Sequence, residues 1–342
     1  LMGGLSLWML LPGLQQGVSG VGFSDEIPTV PMYLAAQSQV FWHYLWLCVW
    51  PIALSIDYRW QPFESVLSAT PWILATSTVL GFGVWRYRQR EIDGWLILAL
   101  FLLLAPTSTL IPITDLAVDH RMYLGLAPVI GLGLMMVKKI ESLVLKSFTP
   151  SPGWRVAILC AVLSALFLRT YTRAHDWSSG FNLWLATAKL TPSNPRALQN
   201  LTDAAKEEGR EGELIAVLGE LQFQAKARGE ASPAVASRLG EEYLKVGSAR
   251  QAEPLLREAV AGLDPDGTID ERQEHAAARI NLALVHLQRR ELNEAEGHLR
   301  AAVSADPKAA YGHAMLGDLM MQRSNYSQAA EHFQRAFAIV PD

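Results

Sequence analysis

Three groups of residues in this 342-residue chain have the types and spacing to bind or to do chemistry. The first is Asp119-His120-Arg121, with Asp115 just upstream. A guanidinium makes paired, charge-assisted hydrogen bonds to phosphate oxygens, so Arg121 is a candidate to hold a phosphorylated ligand, with Asp119 or His120 orienting it. The same residues also compose an ordinary ion pair, Arg121 neutralised by Asp119 or Asp115, with Tyr123 as an anchor. The second group is Asp57 and Arg59, after an aromatic-rich segment; they line the same cavity or form an interfacial pair of small energetic worth. The third group lies near the C-terminus: Ile280, Leu284 and Leu287, then Tyr311, Asp318 and Met321. That mixture suits an extended or helical peptide.

Other reactive residue types carry less. His43 sits in the aromatic run, as a proton carrier or as a residue bonded to a neighbouring helix. His286, His298, His313 and His332 show no H-E-x-x-H spacing, and no metal site is expected. Cys48 and Cys160 both lie in apolar runs, where a thiol acts as a small hydrophobe, and no bridge is expected. No catalytic residue and no cofactor are read from the chain. Net charge −4 with no dense Lys/Arg block argues against nucleic acid.

The elements that position these groups divide the chain. Residues 1–172 hold 10 of the 29 Lys+Arg and 9 of the 33 Asp+Glu, so this part is nearly neutral and apolar, and residues 173–342 carry the remaining charge. A spanning helix needs roughly 17–25 mostly apolar residues. Val66–Trp85, Trp95–Ile113, Met122–Val137 and Trp154–Tyr171 are candidates, and Leu1–Leu14 reads as the tail of another span that starts before residue 1. Tyr33–Trp60 reads either as a further short span or as a helix on the outer leaflet, because it carries Gln37, Gln39, His43, Pro51 and many amphipathic rings. Arg86, Arg88 and Arg90 between two spans, and Lys138, Lys139, Lys146 and Arg155 between two others, place both loops in the cytoplasm. Thr114–Arg121 and everything after Arg173 then lie outside.

The charged half is periodic. Leu282-Ala283, Ala295, Leu299, Ala302 and Pro307 recur 34 residues later as Leu316-Gly317, Ala329, Phe333, Ala336 and Pro341. Small residues let one helix touch the next, large ones fill the gap and the Pro ends the pair: these are tetratricopeptide (TPR) slots. The best repeats are 233–265, 276–309 and 310–342, with a weaker one over 195–228 and a lone helix over Phe181–Thr191. About nine extra residues, Asp266–Glu274, lengthen a turn. His286 and His313 occupy slots that hold large packing residues. Ile280 and Leu284 stand where a carboxylate clamp would need Lys and Asn, so the groove is of another kind. The array ends at Pro341-Asp342 with no polar capping helix, so that a further segment or a partner is expected there. The expected class is therefore all-α: a polytopic membrane domain of about five or six spans over 1–172, then an extracytoplasmic TPR α-solenoid of about four repeats over 173–342.

Three spaced signatures accompany this plan. They are Tyr33-Leu34-Ala35-Ala36-Gln37 with Tyr44-Leu45, Pro51 and Asp57-Tyr58; Asp119-His120-Arg121-Met122-Tyr123-Leu124; and Trp177 with Leu183-Trp184 and Pro192-Ser193-Asn194-Pro195-Arg196-Ala197. Together they resemble the transmembrane-and-TPR (TMTC-like) proteins, relatives of the GT-C glycosyltransferases and protein O-mannosyltransferases. Gly125 departs from the Pro that follows the second signature in that family. The resemblance implies a polyprenyl-phosphate sugar as substrate, membrane lipid contact, and repeats that present a protein acceptor. It also implies that the catalytic acidic residue precedes this chain, which would be the C-terminal half. The expected location is a bacterial inner membrane with the repeats in the periplasm. The alternative is a scaffold without chemistry that recruits a membrane complex. A transporter is disfavoured, because the spans hold almost no ionisable residues.

Overall fold

Residues 30–60, 63, 65–108, 116–144 and 152–340 are described by a computed structural model, and every regular element among them is helical. The chain divides into two units, Leu1–His175 and Asp176–Asp342. The all-α class is as the sequence implies. Leu1–Leu14, Asp115, Lys146 and Pro341 lie outside the described residues.

In the first unit, the aromatic-rich segment folds as α1 (Val30–Val49). Tyr33, Gln37, Val40, Tyr44 and Leu47 recur at steps of four and three, which puts them on one face, and all are buried. Pro51 has no amide to continue the helix, and residues 50–60 run as a loop. α2 (Thr70–Arg88) opens with Pro71 in its first turn, where a missing N–H costs nothing. A short turn leads into α3 (Ile92–Ser108). A Cβ on Gly94 would sit 2.2 Å from the Tyr87 amide nitrogen, so only glycine allows this close hairpin. Arg86 Nε clamps it, donating to both Asp93 carboxylate oxygens at 3.0 and 2.9 Å. A 3-10 turn over Asp119–Arg121 then leads into α4 (Met122–Val144), and α5 (Pro152–Asp176) follows.

The apolar face of α1 packs on Leu100 and Leu104 of α3 and on Ala117 and Met122. Among the described residues two stretches are long and apolar enough to cross a membrane, Asp119–Ser142 and Val156–Asp176, and Ile92–Pro106 is apolar but shorter. That is fewer than the five or six read from the sequence. α2 is diluted by Thr70, Thr76, Ser77 and Thr78, and residues 109–113 of the span expected over Trp95–Ile113 lie outside the described residues.

The second unit is a run of antiparallel pairs. α6 (Gly180–Leu190), capped by the Ser179 hydroxyl, precedes α7 (Pro195–Glu207) and α8 (Glu211–Ala227). Then come α9 (Pro233–Lys245) with α10 (Ala249–Gly262), α11 (Ile269–Gln288) with α12 (Leu292–Ala305), and α13 (Ala310–Gln322) with α14 (Tyr326–Ile339). The small-residue slots do what their size implies. A Cβ on Gly240 would lie 2.7 Å from Leu256, and one on Gly317 would lie 2.6 Å from Phe333.

The turn inside each pair adds a signature that the sequence alone hides. Gly209, Gly247, Arg290 and Ser324 occupy one register, and all four have a positive φ, between 58° and 76°. The weak first repeat therefore turns the same way as the strong ones. The residues Asp266–Glu274 correct one expectation. They lengthen helix α11 rather than only the turn, because Thr268 and Glu271 form a reciprocal capping box that starts the helix at Ile269.

Candidate functional site

The 3-10 turn brings the first group of candidates to one place. Asp119 is carried on extended backbone from Val118, whose amide donates to the Tyr44 hydroxyl at 3.0 Å. The Asp119 amide donates to Ser55 O at 3.3 Å, tying the turn to the loop after α1. Its carboxylate accepts from Arg173 Nη2 at 2.7 Å, with side-chain exposures of 7% and 11%. The sequence offers Asp119 or Asp115 as a partner for Arg121; the structure sets Arg173, from the far end of α5, on Asp119. Arg121 Nη1 donates to Leu116 O at 3.0 Å, folding back on its own turn. His120 points to solvent, its Nδ1 4.0 Å from Asp119 Oδ1.

Asp57 and Arg59 lie in the loop that meets this turn. Asp57 Oδ1 accepts from the Arg59 amide at 2.8 Å, and Ser55 Oγ donates to Asp57 O at 2.8 Å. Arg59 has a positive φ of 44°. The Tyr58 hydroxyl accepts from the Ser55 amide at 3.1 Å, and burial pushes its pKa up to about 12, so it stays neutral at physiological pH. His43 packs edge-on against Tyr58 and tilted against Trp60, each with a ring-centroid distance of 4.9 Å. Arg169, one turn before Arg173, donates to Pro51 O at 2.5 Å. Two arginines four residues apart on α5 thus pin both the loop after α1 and the Asp119 turn. Their spacing near the end of an apolar helix is the available sequence signal.

This geometry is first of all a lock. Asp119 is buried and neutralised by Arg173, and Arg121 engages a backbone carbonyl. Among the described residues no group of three or more His, Cys, Asp or Glu is arranged to hold a metal. Cys48 and Cys160 are free thiols.

The third group splits. Ile280 is 7% exposed and belongs to the core beneath α13, so it does not face a groove. Gly312 explains why: an added Cβ there would meet Ile280 Cδ1 at 3.2 Å, so the missing side chain makes room for Ile280. Leu284 and Leu287 are half-buried against the same core. Tyr311 is 60% exposed, and Asp318 and Met321 are exposed on the same helix. His286 and His313 are buried, each beside a second histidine. His286 lies parallel to His298 at 5.2 Å, and His313 Nδ1 is 3.1 Å from His332 Nδ1.

Polar contacts repeat between successive pairs. Glu253 joins Arg257 of its own helix to Arg289 at the end of α11. Glu296 joins Arg300 to Arg323 at the end of α13 in the same register.

Comparison with known proteins agrees with the repeats. A family model described as "Tetratricopeptide repeat" matches residues 237–310 and 281–342, so these residues are TPR repeats. Comparison with curated proteins gives no match. Among solved structures, a MamA double mutant of RS-1 is 21% identical with a TM-score of 0.37, covering 51% of this chain and 93% of that one. MamA from residue 41 onward of Desulfovibrio magneticus RS-1 is 20% identical with a TM-score of 0.37 and the same coverage. YrrB, titled a TPR protein with an unusual peptide-binding site, is 20% identical with a TM-score of 0.33, covering 60% of this chain and 92% of that one.

Proposed function

We propose that this chain is a membrane-anchored adaptor whose TPR array binds a protein partner. The observation that carries the proposal is the set of unlike side chains that α13 leaves exposed beside a closed core. Tyr311 offers a rigid amphipathic ring, Met321 an adaptable apolar surface and Asp318 one carboxylate. Such a surface suits a peptide with apolar anchors beside a basic residue.

Anchoring is supported by α4 and α5. Val156, Ile158, Leu159, Leu163 and Phe167 of α5 are all exposed, and a helix that shows apolar residues all round needs lipid or protein against it. Lys138 and Lys139 near the end of α4, Lys146 after it and Arg155 in the first turn of α5 favour a cytoplasmic connection between the two helices, with the repeats on the other side of a bacterial inner membrane, in the periplasm.

The test is a photo-crosslinking amino acid at position 311 in cells, followed by binding measurements on the purified pair. Tyr311→Ala and Asp318→Lys each weaken the captured partner at least tenfold with unchanged melting. Capture that survives both variants at full affinity removes the groove from the proposal.

A second reading has one observation in its favour, the convergence of Asp119, His120, Arg121 and Arg173 on one turn. In this reading the chain is the C-terminal half of a TMTC-like, GT-C-type glycosyltransferase. A polyprenyl-phosphate sugar would sit at Arg121 and His120, and the repeats would present the acceptor. Sugar transfer from a labelled polyprenyl-phosphate donor that collapses in Arg121→Ala would support it. Equal transfer in wild type and variant would remove Arg121 from the site.

A further inference from the structure

A cavity of about 360 Å³ lies between α1, α2 and α3 in the first unit, within the roughly 300–1,000 Å³ range of small-molecule pockets. Phe41, Ile73, Phe101 and Leu104 supply apolar wall, and no acidic or basic side chain lines it. We propose that this cavity binds an uncharged, largely apolar molecule carrying one hydroxyl group, which donates its hydrogen to Gln37 Oε1.

Gln37 decides the chemistry. It is 5% exposed, and its Nε2 donates to Leu116 O at 3.0 Å. A carbonyl only accepts, so this bond fixes which end of the amide is nitrogen and leaves Oε1 as the unused end. Oε1 is buried and has no hydrogen-bond partner. A buried acceptor in that state is destabilising, and a ligand donor relieves it.

Two of the neighbouring hydroxyls already have other partners. Ser38 Oγ donates to Ala35 O at 2.6 Å. Thr76 Oγ1 donates to Ser38 O at 3.2 Å and accepts from Trp42 Nε1 at 3.0 Å. Ser77 and Ser108 also line the cavity, and a serine hydroxyl can give a hydrogen to the same ligand oxygen. A hydroxyl gives one hydrogen and takes one, so it matches both demands. A carboxylate or phosphate would face a carbonyl oxygen with no cation in the wall. An alkane would leave Oε1 as it is. The ligand chemistry therefore differs from that of the anionic group considered for Arg121.

The test uses the full chain in mild detergent and a 12-carbon alcohol bearing a diazirine at its far end. Light-induced labelling is mapped by peptide mass spectrometry, with 1-dodecanol, dodecane and dodecanoate as competitors. Saturable labelling within residues 30–108 is expected, with dodecanol competing at concentrations at least tenfold below the other two. Gln37→Leu should bring dodecanol down to the alkane's level. Ser77→Phe, a change at an exposed position, should suppress labelling while leaving the melting temperature unchanged, which keeps the test valid if Gln37→Leu folds poorly. Equal competition by dodecane, labelling confined to other segments, or an unchanged alcohol preference in folded Gln37→Leu would each overturn the proposal.

Discussion

Removing the Arg173 guanidinium should destabilise the first unit far more than removing the whole ion pair. The charges of Asp119 and Arg173 lie 2.7 Å apart and are nearly excluded from water. At an effective dielectric near 20 their gross attraction is about 6 kcal/mol, and most of it offsets the loss of hydration. Arg173→Met keeps the stem and deletes the charge, leaving the buried Asp119 carboxyl without its partner, so a loss of about 3–5 kcal/mol is expected. Asp119→Leu combined with Arg173→Met removes both charges and should fall within about 1 kcal/mol of wild type or above it. The double-mutant cycle then gives a coupling above about 2 kcal/mol. Equilibrium unfolding in detergent followed by tryptophan fluorescence reads this unit, because nine of the 11 tryptophans precede residue 176. If Arg173→Met unfolds at the wild-type midpoint, the lock is not structural, and Asp119 must be sought in a ligand site instead.

Three further outcomes follow from local geometry. Arg290→Gly and Ser324→Gly should each stabilise the repeats by about 0.5–1 kcal/mol, since φ of 63° and 58° strains a side-chain-bearing residue more than glycine loses in chain entropy; a lower melting temperature in both would refute the strain. Gly94→Ala should cost about 1–3 kcal/mol or more, because its Cβ would press on the Tyr87 backbone, whereas Gly133→Ala meets open space and should be nearly neutral in the same melting assay. Acidification should loosen the repeats. Burial first, then the neighbouring His286 and His313 charges, hold the His298 and His332 pKa values below 6.5, and burial with Arg279 does the same for His275. These groups bind protons more readily unfolded, so their stability is fully present above about pH 6.5 and is lost as pH falls through the lower folded values. A melting temperature constant from about pH 7.5 to 5 would show that the buried rings do not resist protonation.

The TPR array was legible because its packing is periodic and size-limited. Gly240 against Leu256 and Gly317 against Phe333 leave room for one small and one large residue, and that restriction repeats at a fixed spacing. Two features escaped for reasons that are equally physical. The capping box Thr268–Glu271 is written plainly in the residues, but it lies in an insertion that the 34-residue period does not cover, so the helix start was read as turn. Ile280 stands at a groove position by register. Whether that position is open depends on the size of a residue in the next repeat, and Gly312 has no side chain to keep Ile280 out of the core.

The candidate site of the first unit was legible as residues but not as a role. An aspartate, a histidine and an arginine in succession look the same whether they hold a phosphate or close a fold. The discriminating partner, Arg173, is 54 residues from Asp119, and no local pattern links them. Arg169 and Arg173 acquire meaning only when α5 is seen to carry both along one face, one reaching Pro51 O and the other Asp119. Gln37 shows the opposite case. Within an apolar helix it reads as a blemish, yet one amide hydrogen satisfied by Leu116 leaves its oxygen as a buried acceptor without a partner. The chemistry of the first unit therefore turns on which polar groups are already committed. The Asp119–Arg173 pair holds its turn to α5, Asp119 Oδ1 and Gln37 Oε1 are both buried without a hydrogen-bond partner, and of the two places only the cavity has a wall without charge.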